Sequence, residues 1–212
     1  MSYYPINIDV SGKRALVVGG GAVAERKVRV LLEFGAKVIV VAPEITPDLQ
    51  QLKDAGKIVW EPRFWRPEDL DGICLVFAAT NDRNVNQEIF KEASSRGVLL
   101  NCVDQPDLCN FIVPAIVRRG YLVISVSTSG HSPALAAWIR GKIEEEFGDE
   151  YGKLTELTGL IRKRLIEAGF SPEDFKENFE EFFSTSILEK IRKADKEGIK
   201  KIVVSIFGED LL

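Results

Sequence analysis

The sequence predicts an α/β protein: a parallel sheet with helices on both faces, then a β-hairpin and helix, then a small helical C-terminal region. Three observations carry this. Short apolar runs alternate with helix-length amphipathic stretches through the first half of the chain. The first of these runs ends in three glycines, and strand signals nearly vanish after Asp149.

Residues 14–19 (Arg-Ala-Leu-Val-Val-Gly) read as a fully buried strand, because the run is continuously apolar rather than alternating. Across residues 22–34, Val23, Val28, Leu31 and Leu32 recur at helical spacing, and Gly35 stops the helix. A second strand spans 37–42, closed by Pro43, and strands three and four span 57–60 and 73–78. A helix over 83–95 leads to a fifth strand at 98–102. Beyond Asp104 the rhythm changes, and two β-like runs, 110–117 and 121–128, form a hairpin turning at Arg118-Arg119-Gly120. Ser132 followed by Pro133 is a helix start, with the helix running to about Phe147. Amphipathic helices then fit 154–168, 172–183 and 187–196, the middle one started by Ser171-Pro172-Glu173-Asp174. Residues 201–207 fit a strand or a packed tail equally. The resulting division is 1–110, 111–148 and 149–212.

Composition narrows the function classes. The 212 residues suffice for one large domain or two small ones. With 28 Lys+Arg against 32 Asp+Glu the net charge is −4, so no basic surface advertises a nucleic-acid partner. His131 is the single histidine, which excludes multi-His metal sites and leaves one imidazole for acid–base work. Cys74, Cys102 and Cys109 include no C-x-x-C pair and read as reduced thiols of a cytoplasmic protein. The N-terminus lacks the basic and apolar segments of a signal peptide, and no apolar run nears the ~20 residues that cross a bilayer.

The chemistry concentrates at strand ends. Gly19-Gly20-Gly21-Ala22-Val23-Ala24 fits G-x-G-x-x-A at the first strand-to-helix turn, the fingerprint of a Rossmann-type dinucleotide site. Gly19 permits the tight turn, Gly21 admits a pyrophosphate, Ala24 lets helix pack on strand, and the helix N-terminus offers free N–H groups. The acidic residue expected at the end of the second strand is displaced: Glu44 takes the ribose or is a solvated loop residue. No arginine is visible there to favour a 2′-phosphate, so NAD is expected over NADP. Asp104, just past the fifth strand, should face the cofactor crevice as a proton acceptor, or else merely shape the turn before Gln105-Pro106. Thr80 and Asn81, after the fourth strand, lie where a flat cofactor fits, or cap a helix. Residues 127–133 (Ser-Thr-Ser-Gly-His-Ser-Pro) make a hydroxyl-rich anion site or ordinary capping.

Taken together, Tyr4-Pro5-Ile6, residues 16–27 with Gly-Gly-Gly-Ala-Val-Ala-Glu-Arg-Lys, 41–43 (Val-Ala-Pro), 78–82, 101–104, 111–115 and 127–134 resemble the precorrin-2 dehydrogenase family, the N-terminal region of sirohaem synthase. The resemblance is dense over about residues 3–147. It implies NAD-dependent oxidation of precorrin-2 to sirohydrochlorin, in some members followed by insertion of ferrous iron. It implies a homodimer built through the 111–148 segment, with the catalytic aspartate at Asp104 and cofactor contacts at Ala22, Val23, Pro43 and Glu44. In bifunctional relatives a phosphorylatable serine stands where this chain has Thr128, a departure that breaks the carry-over of that regulation. With the chain stopping at Leu212, the methyltransferase domain of some relatives is expected to be absent and precorrin-2 to come from a separate enzyme. A polycarboxylate substrate would find Asn101, Arg118, Thr128, Ser129, His131 and Ser132, with Arg119, Arg140 and Lys142 as further basic candidates. The rival readings are a non-catalytic NAD sensor and an NAD(P) oxidoreductase for another substrate. The short-chain class is disfavoured, since no tyrosine begins Tyr-x-x-x-Lys.

Overall fold

The structure, a computed structural model, describes residues 3–208. The chain forms two compact units, one reaching Val113 and the other beginning at Pro114.

In the first unit, β1 (Arg14–Val18), β2 (Lys37–Val41), β3 (Ile58–Glu61), β4 (Leu75–Ala78) and β5 (Leu99–Cys102) make one parallel sheet in the order β3-β2-β1-β4-β5. Because side chains alternate along a strand, Ala15 and Val17 of β1 face one way and Leu16 and Val18 the other. The first pair packs with Ala24, Val28 and Leu31 of α1 (Ala22–Glu33) and Leu49 of α2 (Pro47–Asp54). The second packs with Ile89 and Ala93 of α3 (Arg83–Arg96). Both faces are covered, which explains why these strands read as unbroken apolar runs. The exposed side of β5 is closed by Asn110, whose Oδ1 accepts from Leu100 N at 2.7 Å and whose Nδ2 donates to Val98 O at 3.0 Å.

The sequence left α2 unseen. Its Thr46 cap accepts from Leu49 N at 3.3 Å, but Leu49 is its one buried residue, too little to show as a pattern.

The second unit begins with the antiparallel hairpin β6 (Ala115–Arg119) and β7 (Leu122–Val126), followed by α4 (Pro133–Glu146). Helices α5 (Glu150–Glu167), α6 (Lys176–Ser184), α7 (Ile187–Arg192) and α8 (Lys196–Phe207) enclose a core of Leu154, Ile161, Phe182, Ile187 and Val203. Residues 201–207 are thus helical. Ile199, Ile202, Val203 and Ile206 share one face of α8 against that core, and the helical period overrides their β-branched preference. The start expected at Ser171-Pro172 is a turn instead: Asp174 Oδ2 accepts from Ser171 N at 2.7 Å, and the helix begins at Lys176. The expected single helix over 187–196 breaks at Ala194 (φ 52°), after which Asp195 caps α8 by accepting from Gly198 N at 2.8 Å.

Candidate active site

In an open parallel sheet the ligand crevice lies beyond the strands' carboxyl ends, where successive connections run in opposite directions. Here that place is between β1 and β4. Gly19 holds φ 123°, and a Cβ on it would collide with the Ala79 carbonyl after β4. A Cβ on Gly20 would collide with the Glu44 carbonyl after β2, so the three loops close on one another only through glycine. Gly21 differs: a Cβ there would meet nothing within 4 Å, and no side chain caps the first turn of α1. Open space in front of uncapped N–H groups at a positive helix end fits a dinucleotide diphosphate. Ala22 and Val23 form the start of that helix.

A cavity of about 370 Å³ runs from this turn along the β2 side, lined by Gly19, Gly20, Pro43, Glu44, Thr80 and Asn81. The Glu44 carboxylate makes no hydrogen bond or ion pair among the described residues and is exposed. Arg63 also lines this cavity, which corrects the expectation that no arginine stands there. It arrives on the loop after β3, the strand beside β2, a neighbourhood set by strand order. Its Nη1 and Nη2 donate to the two carboxylate oxygens of Asp69 at 2.9 and 2.7 Å. Burial raises the Asp69 carboxyl, but Arg63 and the Arg66 N–H outweigh it and hold the group below its ordinary value.

Thr80 and Asn81 also line a second, narrower cavity of about 210 Å³, together with Val23, Arg83 and Asp104. The Thr80 hydroxyl is committed: it donates to Asn86 Oδ1 at 2.8 Å, and Asn86, fully buried, returns a bond to Thr80 O at 3.1 Å. Asp82, not Asn81, caps α3, accepting from Asn84 N at 2.8 Å. Asn81 therefore keeps its amide facing both cavities.

Asp104 sits in the left-handed region at φ 59°, a strained position that Asp tolerates better than most residues. Its exposed carboxylate makes no hydrogen bond or ion pair among the described residues. A third cavity, about 450 Å³, shares Asp104 and Val23 with the narrow one and adds Arg26, Lys27, Asn101 and Cys109. Asn101 Nδ2 donates to Phe111 O at 3.1 Å and so fixes the segment that closes this cavity. Burial, Cys109 and Asp104 together push the Cys102 thiol up to about 11, and burial also raises Cys109. Both stay neutral thiols at pH 7. Lys27, which lines this cavity, is not among the residues the sequence singles out, although it stands in the resembling motif one turn past Val23.

The remaining expected substrate contacts lie in the second unit. Thr128 Oγ1 accepts from Ser132 N at 3.0 Å, and Ser132 Oγ accepts from Leu135 N at 3.3 Å, capping α4. Ser129 N donates to Ser127 Oγ at 3.1 Å, and His131 is exposed. Arg118 Nε donates to Gly120 O at 3.3 Å. Arg119 serves structure, donating to Phe147 O at 2.9 Å at the end of α4, while Arg140 and Lys142 pair with Glu144 and Glu145. Among the described residues no group of three or more His, Cys, Asp or Glu gathers as a metal site, and no helix is long and apolar enough to cross a membrane.

Residues 6–115, slightly over half of the chain, match a family of NAD(P)-binding domains. The chain belongs to that family. Residues 119–146 match the family described as sirohaem biosynthesis protein central. The siroheme synthase of Photorhabdus laumondii is 40% identical over 184 residues, covering 87% of this chain and 39% of that protein. The siroheme synthase of Zymomonas mobilis is 37% identical over 210 residues, covering 99% of this chain and 45% of that protein. The chain thus spans about two fifths of the length of these relatives. Among solved structures, "SirC, precorrin-2 dehydrogenase" superposes with a TM-score of 0.79 at 25% identity, covering 96% of this chain and 98% of that one. The same sheet, hairpin and helical part are shared, and a nicotinamide cofactor fits the cradle described above.

Proposed function

We propose that this chain is an NAD-dependent precorrin-2 dehydrogenase that produces sirohydrochlorin. The observation that carries the reading is the placement of Asp104. An unpaired carboxylate shares a cavity wall with Val23, Thr80 and Asn81, beside the glycine turn of an NAD(P)-binding domain. The siroheme synthase relatives and the precorrin-2 dehydrogenase structure supply the substrate.

Oxidation removes a hydride and a proton from the macrocycle, which gains one double bond. The nicotinamide, when bound, supplies the hydride acceptor. Gly19–Gly21 and the first turn of α1 hold the diphosphate, with Ala22 and Val23 at its edge and Pro43 beside the adenosine half. Glu44 takes the ribose hydroxyls. Its free carboxylate, together with the Arg63 guanidinium tied to Asp69, favours NAD over NADP. Asp104 accepts the proton, with Asn101 and Asn81 lining the two cavities that meet at it. In the second unit, Arg118, Thr128, Ser129, His131 and Ser132 serve the substrate carboxylates.

The assembly in this reading is a cytoplasmic homodimer built through the hairpin and α4, where Tyr121 is 80% and Trp138 63% exposed. The expected boundaries at 110 and 148 delimit cofactor domain, dimerisation segment and helical domain. Ferrous iron enters as a further substrate, inserted into sirohydrochlorin with loss of the pyrrole protons. Anaerobic incubation with precorrin-2 and NAD+ tests the reading: NADH and the sirohydrochlorin chromophore should appear together, and added ferrous iron should convert that chromophore to sirohaem. Absence of NADH with authentic precorrin-2 overturns the dehydrogenase; an unchanged chromophore with iron overturns chelation alone.

A further inference from the structure

Two arginines near the carboxyl edge of the sheet are held by carboxylates. Arg63 is tied to Asp69, and Arg29 reaches both Glu25 and Asp48. Lys27 has no such carboxylate. It is half-buried on α1, one turn past Val23, and makes no hydrogen bond or ion pair among the described residues. Its one contact of note is the face of Phe77, with Nζ 5.2 Å from the ring centroid. Burial pushes its ammonium below the ordinary lysine value, nearby Arg26 adds to the push, and Cys109 pulls only partly the other way.

A half-buried cation without an anion costs stability, a cost that an anion arriving from outside would offset. The cavity facing Lys27 holds about 450 Å³, with Arg26 beside it and Asp104, Asn101 and Gln105 on the other walls. Of the residues placed around the dinucleotide diphosphate only Val23, at its edge, lines this cavity, and no residue of it lines the one at Gly19 and Gly20, so Lys27, a turn further along α1, faces room for a different anion. The cavity does share Asp104 with the narrow one leading to the cofactor turn. An anion bound at Lys27 would therefore belong to the molecule on which Asp104 acts.

We propose that Lys27, assisted by Arg26, anchors a carboxylate side chain of the tetrapyrrole substrate and thereby sets the macrocycle against Asp104. This deepens the dehydrogenase reading and rests on it. Loss of a charge-assisted contact should cost about tenfold or more in substrate affinity.

The test compares Lys27→Met and Lys27→Arg in the full chain. Lys27→Met should raise KM for precorrin-2 about tenfold or more, leave the NAD+ Kd within about twofold, and leave the melting temperature unchanged or higher. Lys27→Arg should recover most of the lost KM. A purely structural lysine would instead lower the melting temperature and shift both ligands together. A KM near wild type in folded Lys27→Met, or an NAD+ Kd that rises as much as KM, overturns the proposal.

A measurement on the unaltered protein guards against a variant that fails to fold. Sirohydrochlorin should protect Lys27 from acetylation by an amine-selective ester, read by mass spectrometry, whereas NAD+ alone should not. Equal acetylation with and without sirohydrochlorin overturns the site. Should the wild-type protein bind sirohydrochlorin with Lys27 protected yet never reduce NAD+, the oxidation fails while the anchor stands.

Discussion

Arg63 and Lys27 both line cavities at the carboxyl edge of one sheet, yet Arg63 is tied to Asp69 at 2.7 and 2.9 Å while Lys27 faces only the ring of Phe77. The first pair braces the connection between β3 and β4 and leaves its guanidinium no free fork for a phosphate. The second is a charge held ready. The same residue class thus serves architecture at one end of the crevice and ligand capture at the other. The neighbouring carboxylates follow suit: Asp69 is engaged, whereas Asp104 is open.

The strongest way to disturb this division is to disturb the turn that separates its halves. In Gly20→Ala the new methyl runs into the Glu44 carbonyl, so the β1 and β2 loops must part. A loss of about 1–3 kcal/mol is expected in chemical unfolding, together with weaker NAD+ binding. Stability and affinity both at wild-type values would show that the loops do not need this approach.

Asp69→Ala opens the closed end. Its side chain is 10% exposed and also accepts from Arg66 N, so unfolding should report a loss of about 1–2 kcal/mol. Freed Arg63 should raise NADP+ affinity relative to NAD+ in titration calorimetry. The pH dependence has a definite sign. The folded carboxyl lies below its unfolded value, so its contribution is present above about pH 4 and fades as pH falls through the folded value. The difference between wild type and Asp69→Ala should narrow in acid, and a gap that stays constant down to pH 2 would remove the ion pair as its cause. The smallest effect is expected at His131→Ala. Exposed on its loop, it should shift unfolding stability by under about 0.5 kcal/mol, and a larger change would mean the loop is packed more tightly than its contacts indicate.

The sheet was legible because both of its faces are buried, which leaves its strands as uninterrupted apolar runs such as Leu16-Val17-Val18. The site was legible where chemistry follows the chain locally: the glycine turn after β1 and Asp104 after β5 can be placed by counting from a strand end. Arg63 and Lys27 escaped for different reasons. Arg63 joins the site only because β3 lies beside β2, a tertiary fact. Lys27 reads as an ordinary helix-surface lysine until its missing partner is seen. In the helical unit, residues 201–207 carried the residue types of a strand and the spacing of a helix, and burial against Phe179 and Phe182 decided for the helix.

The proton acceptor can be tested most directly by anaerobic single-turnover oxidation of precorrin-2 by Asp104→Ala, with NAD+ binding measured on the same preparation. Formation of NADH should fall about a hundredfold or more while the NAD+ Kd stays within about twofold of wild type. Oxidation at the wild-type rate would contradict the assignment of Asp104 and the crevice built around it.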